Sequence, residues 1–299
     1  MQIENMFEKF IGSQRAVVSL KKSSISTYTY NFNAYIKPFF QDKELNERTV
    51  REFTKFLLFK LSEKTTNDIL TLFSSILCKN RIDIEIYKPK FRIPVIQGLD
   101  EETWGTLEDY CLCHLNYQTY CVLLSLYTGI RPGELSACKK ENLDFKKQIL
   151  KIIETLQRIK NCEENPKQKT KIIIDDPKSN NGFRDIPLID DLVMIGINLY
   201  KNVPANAFLL TGRTDKFIEV RTWENQVKKI FEKVGIEGSP YTLRHAFATR
   251  FYNMTGDIKT LAVLLGHASI QTTYRYVFTS DETKRFGINL LVQNRNLLS

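Results

Sequence analysis

The sequence predicts a mainly α-helical protein with a small β-sheet, arranged as a helical N-terminal domain over residues 1–98 and a mixed α+β domain over residues 99–299. Three observations point there. Apolar residues recur at helical spacing through much of the first eighty positions. A basic stretch with two prolines, residues 88–94, then interrupts them. Beyond it, longer helical patterns alternate with short strand-like runs.

In the first domain, Tyr28, Phe32, Tyr35, Ile36 and Phe39 form one helical stripe, with Ser24 expected as its cap. Val50, Phe53, Leu57 and Leu61 form a second, and Ile69, Phe73, Ile76 and Leu77 a third that starts from Ser62. Residues 82–86 alternate Ile-Asp-Ile-Glu-Ile. Pro89 and Pro94, among Lys88, Lys90 and Arg92, deny a continuous helix and place the domain boundary near residue 98. In the second domain helices are expected over 101–114 and 117–127, and a strand over 148–154. Residues 171–175 read as another strand. Asn180-Asn181-Gly182 then supplies the positive φ angles of a tight turn, so that 171–175 and 183–188 pair as a hairpin. Trp223, Val227, Ile230, Phe231 and Val234 share one helix face, and further helices are expected near 241–253, 257–265 and 270–278.

Composition narrows the function. With 43 Lys+Arg against 34 Asp+Glu the net charge is +9, which favours a polyanionic partner through counterion release. The excess is concentrated in front: residues 1–98 carry +6 and the remaining two-thirds +3. No stretch approaches the roughly 20 apolar residues of a membrane span, and the first residues lack the apolar run of a secretory signal. A cytoplasmic protein with no membrane partner is expected. The six cysteines sit mostly inside apolar runs and are expected to stay reduced. Cys111-Leu112-Cys113-His114 has the wrong spacing for a zinc site, and phosphate-loop and His-Glu-x-x-His patterns are missing, so neither metal nor cofactor is expected.

What remains is a set of separated basic groups and a tyrosine. They fall in four ordered motifs: Thr-Gly-Ile-Arg-Pro-Gly-Glu-Leu around Arg131, Pro-Lys-Ser-Asn-Asn-Gly-Phe-Arg-Asp-Ile-Pro-Leu around Lys178, Tyr-Thr-Leu-Arg-His-Ala-Phe-Ala-Thr from Tyr241 through Arg244, and Leu-Leu-Gly-His-Ala-Ser-Ile-Gln-Thr-Thr-Tyr-Arg-Tyr from His267 to Tyr276. In these motifs and their order, the chain resembles the tyrosine recombinases, or phage integrases, over nearly its full length. The resemblance implies a helical core-binding domain in front and a recombinase catalytic domain behind. It implies that Arg131 and Arg244 clamp the scissile phosphate, that Lys178 protonates the departing 5′ oxygen, that His267 is a phosphate ligand and that Tyr276, nine residues on, is the nucleophile.

The chemistry suits those residue types. A tyrosine hydroxyl that attacks a phosphodiester leaves a 3′-phosphotyrosyl link that stores the bond energy, so rejoining needs neither ATP nor metal. Guanidinium groups can fork onto nonbridging oxygens in a way an ammonium cannot. Arg184 is a rival to Lys178, and Tyr274, two residues before Tyr276, a rival nucleophile. His245 is expected to support the fold. One position departs from the family pattern: Tyr241 stands where a histidine usually lies, three residues before Arg244. A phenol can donate to phosphate but, with a pKa near 10, is a poor proton acceptor.

A site-specific DNA recombinase is therefore the leading expectation, with double-stranded DNA as partner, a homotetramer on two DNA sites, and an excision factor as a further partner. A type IB topoisomerase-like enzyme and a non-catalytic DNA-binding regulator of the same fold are the alternatives. The residues before the first stripe are too few for an arm-binding domain, which points to the simple two-domain type. The amphipathic segment at 285–292 is expected to pack into a neighbouring protomer or back onto its own core.

Overall fold

The computed structural model describes residues 2–17, 20–90, 98–161, 168–177, 180–277 and 285, with backbone alone for 14–17. The chain separates into two compact units. One is Met1–Ile93 with Gln157–Ile173; the other is Pro94–Leu156 with Ile174–Ser299.

The first unit is a helical bundle. It opens with a helix the stripes above did not include, α1 (Ile3–Val17), which buries Ile3, Met6, Phe7, Phe10 and Ile11 at helical spacing. Helix α2 (Lys22–Asn31) begins from Lys21 and not from Ser24, whose N–H already donates to the Lys21 carbonyl inside the first turn. A π-helical turn, Phe32–Ile36, joins it to α3 (Lys37–Phe40) and sends both Phe32 and Ile36 into the core. Helix α4 (Glu47–Lys60) is capped by Asn46, and α5 (Glu63–Lys79) by Ser62, whose Oγ accepts from the Thr65 N–H as expected. The centre is aromatic: Phe40, Phe53 and Phe73 lie with ring centroids 4.9–5.5 Å apart. Truncating any one of them would cost about 3–5 kcal/mol. Ile82, Ile84 and Ile86 pack against this core from an extended segment that forms no strand.

Residues 157–173 of the later sequence join the first unit through local bonding. Ser26 Oγ donates to the Lys160 carbonyl at 2.9 Å, and the Lys160 ammonium sits over the Tyr30 ring, so this excursion from the later sequence joins the helical bundle.

The second unit is built on α6 (Glu101–Cys113) and α7 (Tyr117–Thr128), the latter almost wholly buried and capped by Asn116. After the short α8 (Pro132–Ala137) come β1 (Leu143–Asp144) and β2 (Ile149–Ile152), then β3 (Thr155–Lys160) and β4 (Thr170–Asp175), most of whose residues belong to the first unit, and then β5 (Arg184–Pro187). Strands β1, β2 and β5 form an antiparallel sheet with Leu150 opposite Ile186 and Ile152 opposite Arg184, while β3 pairs with β4. The expected hairpin of 171–175 with 183–188 is therefore not formed. Asn180–Gly182 is a 3-10 turn in which no residue has positive φ, and Leu150, Ile152 and Ile186 bury one shared face in the core.

Helices α9 (Asp190–Leu199), α10 (Val220–Lys233), α11 (Pro240–Thr255) and α12 (Ile258–Leu265) complete the unit, and α11 packs along α7. Trp223, Val227 and Phe231 form the buried face of α10, as the pattern required. The expected helix over 270–278 is replaced by two 3-10 turns, Ile270–Thr272 and Tyr274–Tyr276, between which Thr273 turns its fully buried hydroxyl toward His267. Among the described residues no helix is long and apolar enough to cross a membrane, and no cluster of three metal-ligating groups occurs. Residues 286–292 lie outside the described residues, and Arg285 is helical and exposed.

Candidate active site

The site forms where α12 ends. A helix leaves its last carbonyls without partners inside the helix, and here those of Leu264, Leu265 and the capping Gly266, with the His267 carbonyl just beyond the helix, are met by side chains from distant parts of the second unit. Arg184 Nε donates to the Leu264 carbonyl at 2.7 Å, Arg244 Nη2 to Leu265 at 2.9 Å, and Arg131 Nη2 to Gly266 at 2.9 Å. Asn181 Nδ2 donates to the His267 carbonyl at 3.2 Å. Cations are favoured at this end of a helix dipole. Gly266 makes the arrangement possible: its φ of 63° is left-handed, and a Cβ there would lie 2.8 Å from the Asn181 carbonyl and 2.9 Å from Arg184 Nη1.

Arg131 is placed by the end of α7. Gly129 closes that helix in the left-handed region, and Pro132 holds Arg131 extended and starts α8. Glu134 then accepts from the Arg131 N–H at 3.0 Å and from its Nη1 at 2.7 Å. The same carboxylate takes Arg184 through two bonds of 3.1 and 2.8 Å. Burial alone would raise the Glu134 pKa, but the bonds and charge of Arg184, with the charge of Arg131, outweigh it and hold the carboxyl below its ordinary value. Arg184, rival to Lys178 in the sequence, is thereby committed to Glu134 and the backbone.

Arg244 lies on α11 with only 3% of its surface exposed. Its Nη1 donates to the Gly129 carbonyl at 2.6 Å and its Nη2 approaches His267 Nε2 at 3.0 Å. Burial, with Arg131 next in effect, lowers its pKa to about 9, which leaves it charged at neutral pH. Because guanidinium can only donate, His267 Nε2 accepts, and Nδ1 carries the proton given to Thr273 Oγ1 at 2.8 Å. Burial and then Arg244 push the His267 pKa down to about 3, so the ring is neutral.

Tyr276 is 2% exposed, whereas Tyr274 is 50% exposed. Burial raises the Tyr276 pKa; Arg244 and Arg275 pull the other way without reversing it. Its hydroxyl lies 3.0 Å from Nδ1 of His245. His245 was expected to support the fold; its contact with Tyr276, 31 positions further along the chain, could not be seen in the sequence. Tyr241 is 45% exposed at the start of α11, and its ring faces that of His245 with centroids 6.5 Å apart. The structure therefore brings together Arg131, Arg244, His267 and Tyr276, adds Glu134, Arg184 and His245, and leaves Tyr241 at the rim. Lys178 lies outside the described residues.

Residues 106–283, well over half of the chain, match the phage integrase family. The chain belongs to that family. Among the relatives of this phage integrase family member, the tyrosine recombinase XerA of Pyrococcus horikoshii is 28% identical over 89% of this chain and 87% of its own. A XerC-like tyrosine recombinase of Caldanaerobacter subterraneus is 26% identical over 54% of this chain, an alignment that spans 46% of that protein. The XerC of Chlamydia muridarum is likewise matched over about half its length, 49%. The fold is shared with the Tn1549 transposon integrase in complex with transposon right end DNA, at a TM-score of 0.71 and 18% identity over 98% of this chain and 100% of that one. It is shared too with a lambda integrase dimer bound to a core site, at a TM-score of 0.62 and 14% identity over 92% and 95%.

Proposed function

We propose that this protein is a site-specific DNA recombinase that cleaves and rejoins DNA through a 3′-phosphotyrosyl link to Tyr276. The observation that carries the reading is the burial of the Tyr276 hydroxyl within one cluster of basic groups, Arg131, Arg244 and His267, drawn from three separate motifs. Arg131 and Arg244 neutralise the charge that grows on the phosphate as the fifth oxygen bonds, an effect worth roughly 10² to 10³ in rate per donor. His267 adds a third ligand and Lys178 supplies the proton for the departing 5′ oxygen, as the family motifs imply. Tyr241 donates to the phosphate from the rim.

Double-stranded DNA is the substrate, in keeping with the net charge of +9 and with the DNA complexes of the structural neighbours. The finer reading is a homotetramer on two DNA sites, acting in the cytoplasm. Residues 1–98 grip DNA beside the catalytic domain of 99–299, and an excision factor sets direction.

The test is a covalent adduct. The protein is incubated with nicked duplexes bearing sequence from the flanks of its own gene, and protein–DNA adducts are resolved on denaturing gels. Wild type and Tyr274→Phe should form the adduct, and Tyr276→Phe should not while binding DNA within about twofold, since one hydroxyl adds little to a many-contact interface. Adduct formation by Tyr276→Phe, together with its loss in Tyr274→Phe, would overturn the assignment.

A further inference from the structure

The proposed reaction needs an acceptor for the Tyr276 proton, and the position where the family usually has a histidine before Arg244 is occupied by Tyr241, a poor acceptor. We infer that His245, through Nδ1, is the general base that takes the hydroxyl proton of Tyr276 as that oxygen attacks the phosphate. This inference rests on the reading of Tyr276 as nucleophile.

The geometry carries it. Nδ1 of His245 lies 3.0 Å from the Tyr276 oxygen, within the 2.6–3.2 Å reach a general base requires, and the rings meet at 44° with centroids 5.6 Å apart. His267, the other histidine of the site, has its Nε2 turned to Arg244 and its Nδ1 to Thr273, so neither nitrogen is turned to the tyrosine. Arg244 and Arg131 are already cationic and cannot accept.

Electrostatics agree. The titratable and charged groups around His245 are Tyr241 and Arg244 on its own helix and Arg275 and Tyr276 on the facing turn, with the charge of Arg131 also reaching Tyr276. Burial, then Arg275 and Arg244, push the His245 pKa to about 4, which keeps the imidazole neutral and its lone pair available at pH 7. With the ring proton on Nε2, Nδ1 faces the hydroxyl. Tyr276 is itself held above the usual phenol range and so arrives protonated. A bound phosphate offsets the charge of Arg244, the smallest of the three causes that lower the His245 pKa.

The step balances. The Tyr276 oxygen forms a bond to phosphorus, the bond from phosphorus to the 5′ oxygen breaks, the phenol proton moves to His245 Nδ1, and the departing 5′ oxygen takes a proton from solvent or from the acid of the reaction. Rejoining runs the same transfers backward, with imidazolium returning its proton to the tyrosine.

The experiment measures single-turnover adduct formation by the full-length protein on the nicked duplex from the gene's flanks, between pH 6 and 9. Wild type should be flat between pH 6 and 8. His245→Asn keeps a polar group near the place of Nδ1 but cannot take a proton. It should bind DNA within twofold, cleave about 10²-fold more slowly at pH 7, and speed up about tenfold per pH unit as hydroxide replaces the base. Imidazole added to His245→Ala should restore part of the rate. His245→Gln repeats the measurement should the asparagine unsettle α11. Cleavage by His245→Asn within threefold of wild type would overturn the inference. So would slowing with an unchanged flat profile and no imidazole rescue, which is the behaviour of a positioning residue. A wild-type rate that itself climbs tenfold per unit from pH 6 overturns it without any variant. Tyr276→Phe run in parallel separates the two readings: an adduct from that variant ends the nucleophile assignment, whereas a dead Tyr276→Phe beside a fully active His245→Asn ends only the base.

Discussion

Glu134 and Arg184 are joined by two parallel hydrogen bonds of 3.1 and 2.8 Å across fifty residues of sequence, and both side chains are almost entirely buried. The carboxylate also holds Arg131, so one acidic group sets the distance between a candidate phosphate ligand and the sheet.

Glu134→Gln should therefore damage stability and cleavage together. Removing one partner of a buried pair leaves the other charge uncompensated, at a cost of about 3–5 kcal/mol. Urea unfolding at pH 7 is the check. The carboxyl, with its pKa lowered in the fold, contributes stability above its unfolded value near ~4.3, and that contribution is lost as pH falls through the lower folded value.

Gly266→Ala should be costly for so small a change. The left-handed backbone alone penalises alanine by roughly 1–2 kcal/mol, and the new methyl would press on Arg184 and the Asn181 carbonyl. A thermal midpoint lower by about 2–4 °C per kcal/mol is expected. Cleavage should fall as well, because the carbonyl that anchors Arg131 moves.

Between pH 7 and 5 the two site histidines should govern stability. Their folded pKa values, about 4 for His245 and about 3 for His267, lie below the ~6.5 of an unfolded chain. The unfolded chain thus binds protons that the folded one refuses, and stability falls as pH drops through that window. The ceiling is about 1.4 kcal/mol per pH unit for each ring, reduced because both are partly open to solvent. Denaturation midpoints at pH 7 and pH 5 should differ in that direction, and His267→Gln should narrow the difference.

Tyr241→Phe should leave stability within about 0.5 kcal/mol, since the ring is half exposed. If its hydroxyl meets the phosphate, single-turnover cleavage slows about tenfold, the equivalent of ~1.4 kcal/mol. Unchanged rates would remove Tyr241 from the site.

The residues that carry most of this architecture were readable without coordinates. The α10 stripe and the Ser62 cap follow from side-chain periodicity and local hydrogen bonding, and the ordered motifs named Arg131, Arg244, His267 and Tyr276. Helix α1 had an equally plain stripe from Ile3 to Ile11. Other features depend on partners that no local pattern specifies. The pairing of β5 with β2 is decided by a shared buried face of Leu150, Ile152 and Ile186, and Asn180-Asn181-Gly182 suits several turns. The meeting of His245 with Tyr276 arises only once α11 and the final 3-10 turn are in contact.

Beyond their contacts with Glu134 and His267, the three arginines are each held by a main-chain carbonyl at the end of α12. Acceptors of that kind are indifferent to which residue bears them, so substitutions at Leu264 or Leu265 are limited by packing alone and leave the guanidinium contacts chemically intact. A deletion or insertion of a single residue is different: it shifts every acceptor by one place and unseats Arg184, Arg244 and Arg131 together. For anyone reshaping this protein, Leu264 and Leu265 tolerate changes of spelling, but the stretch from Leu264 to His267 does not tolerate a change of length.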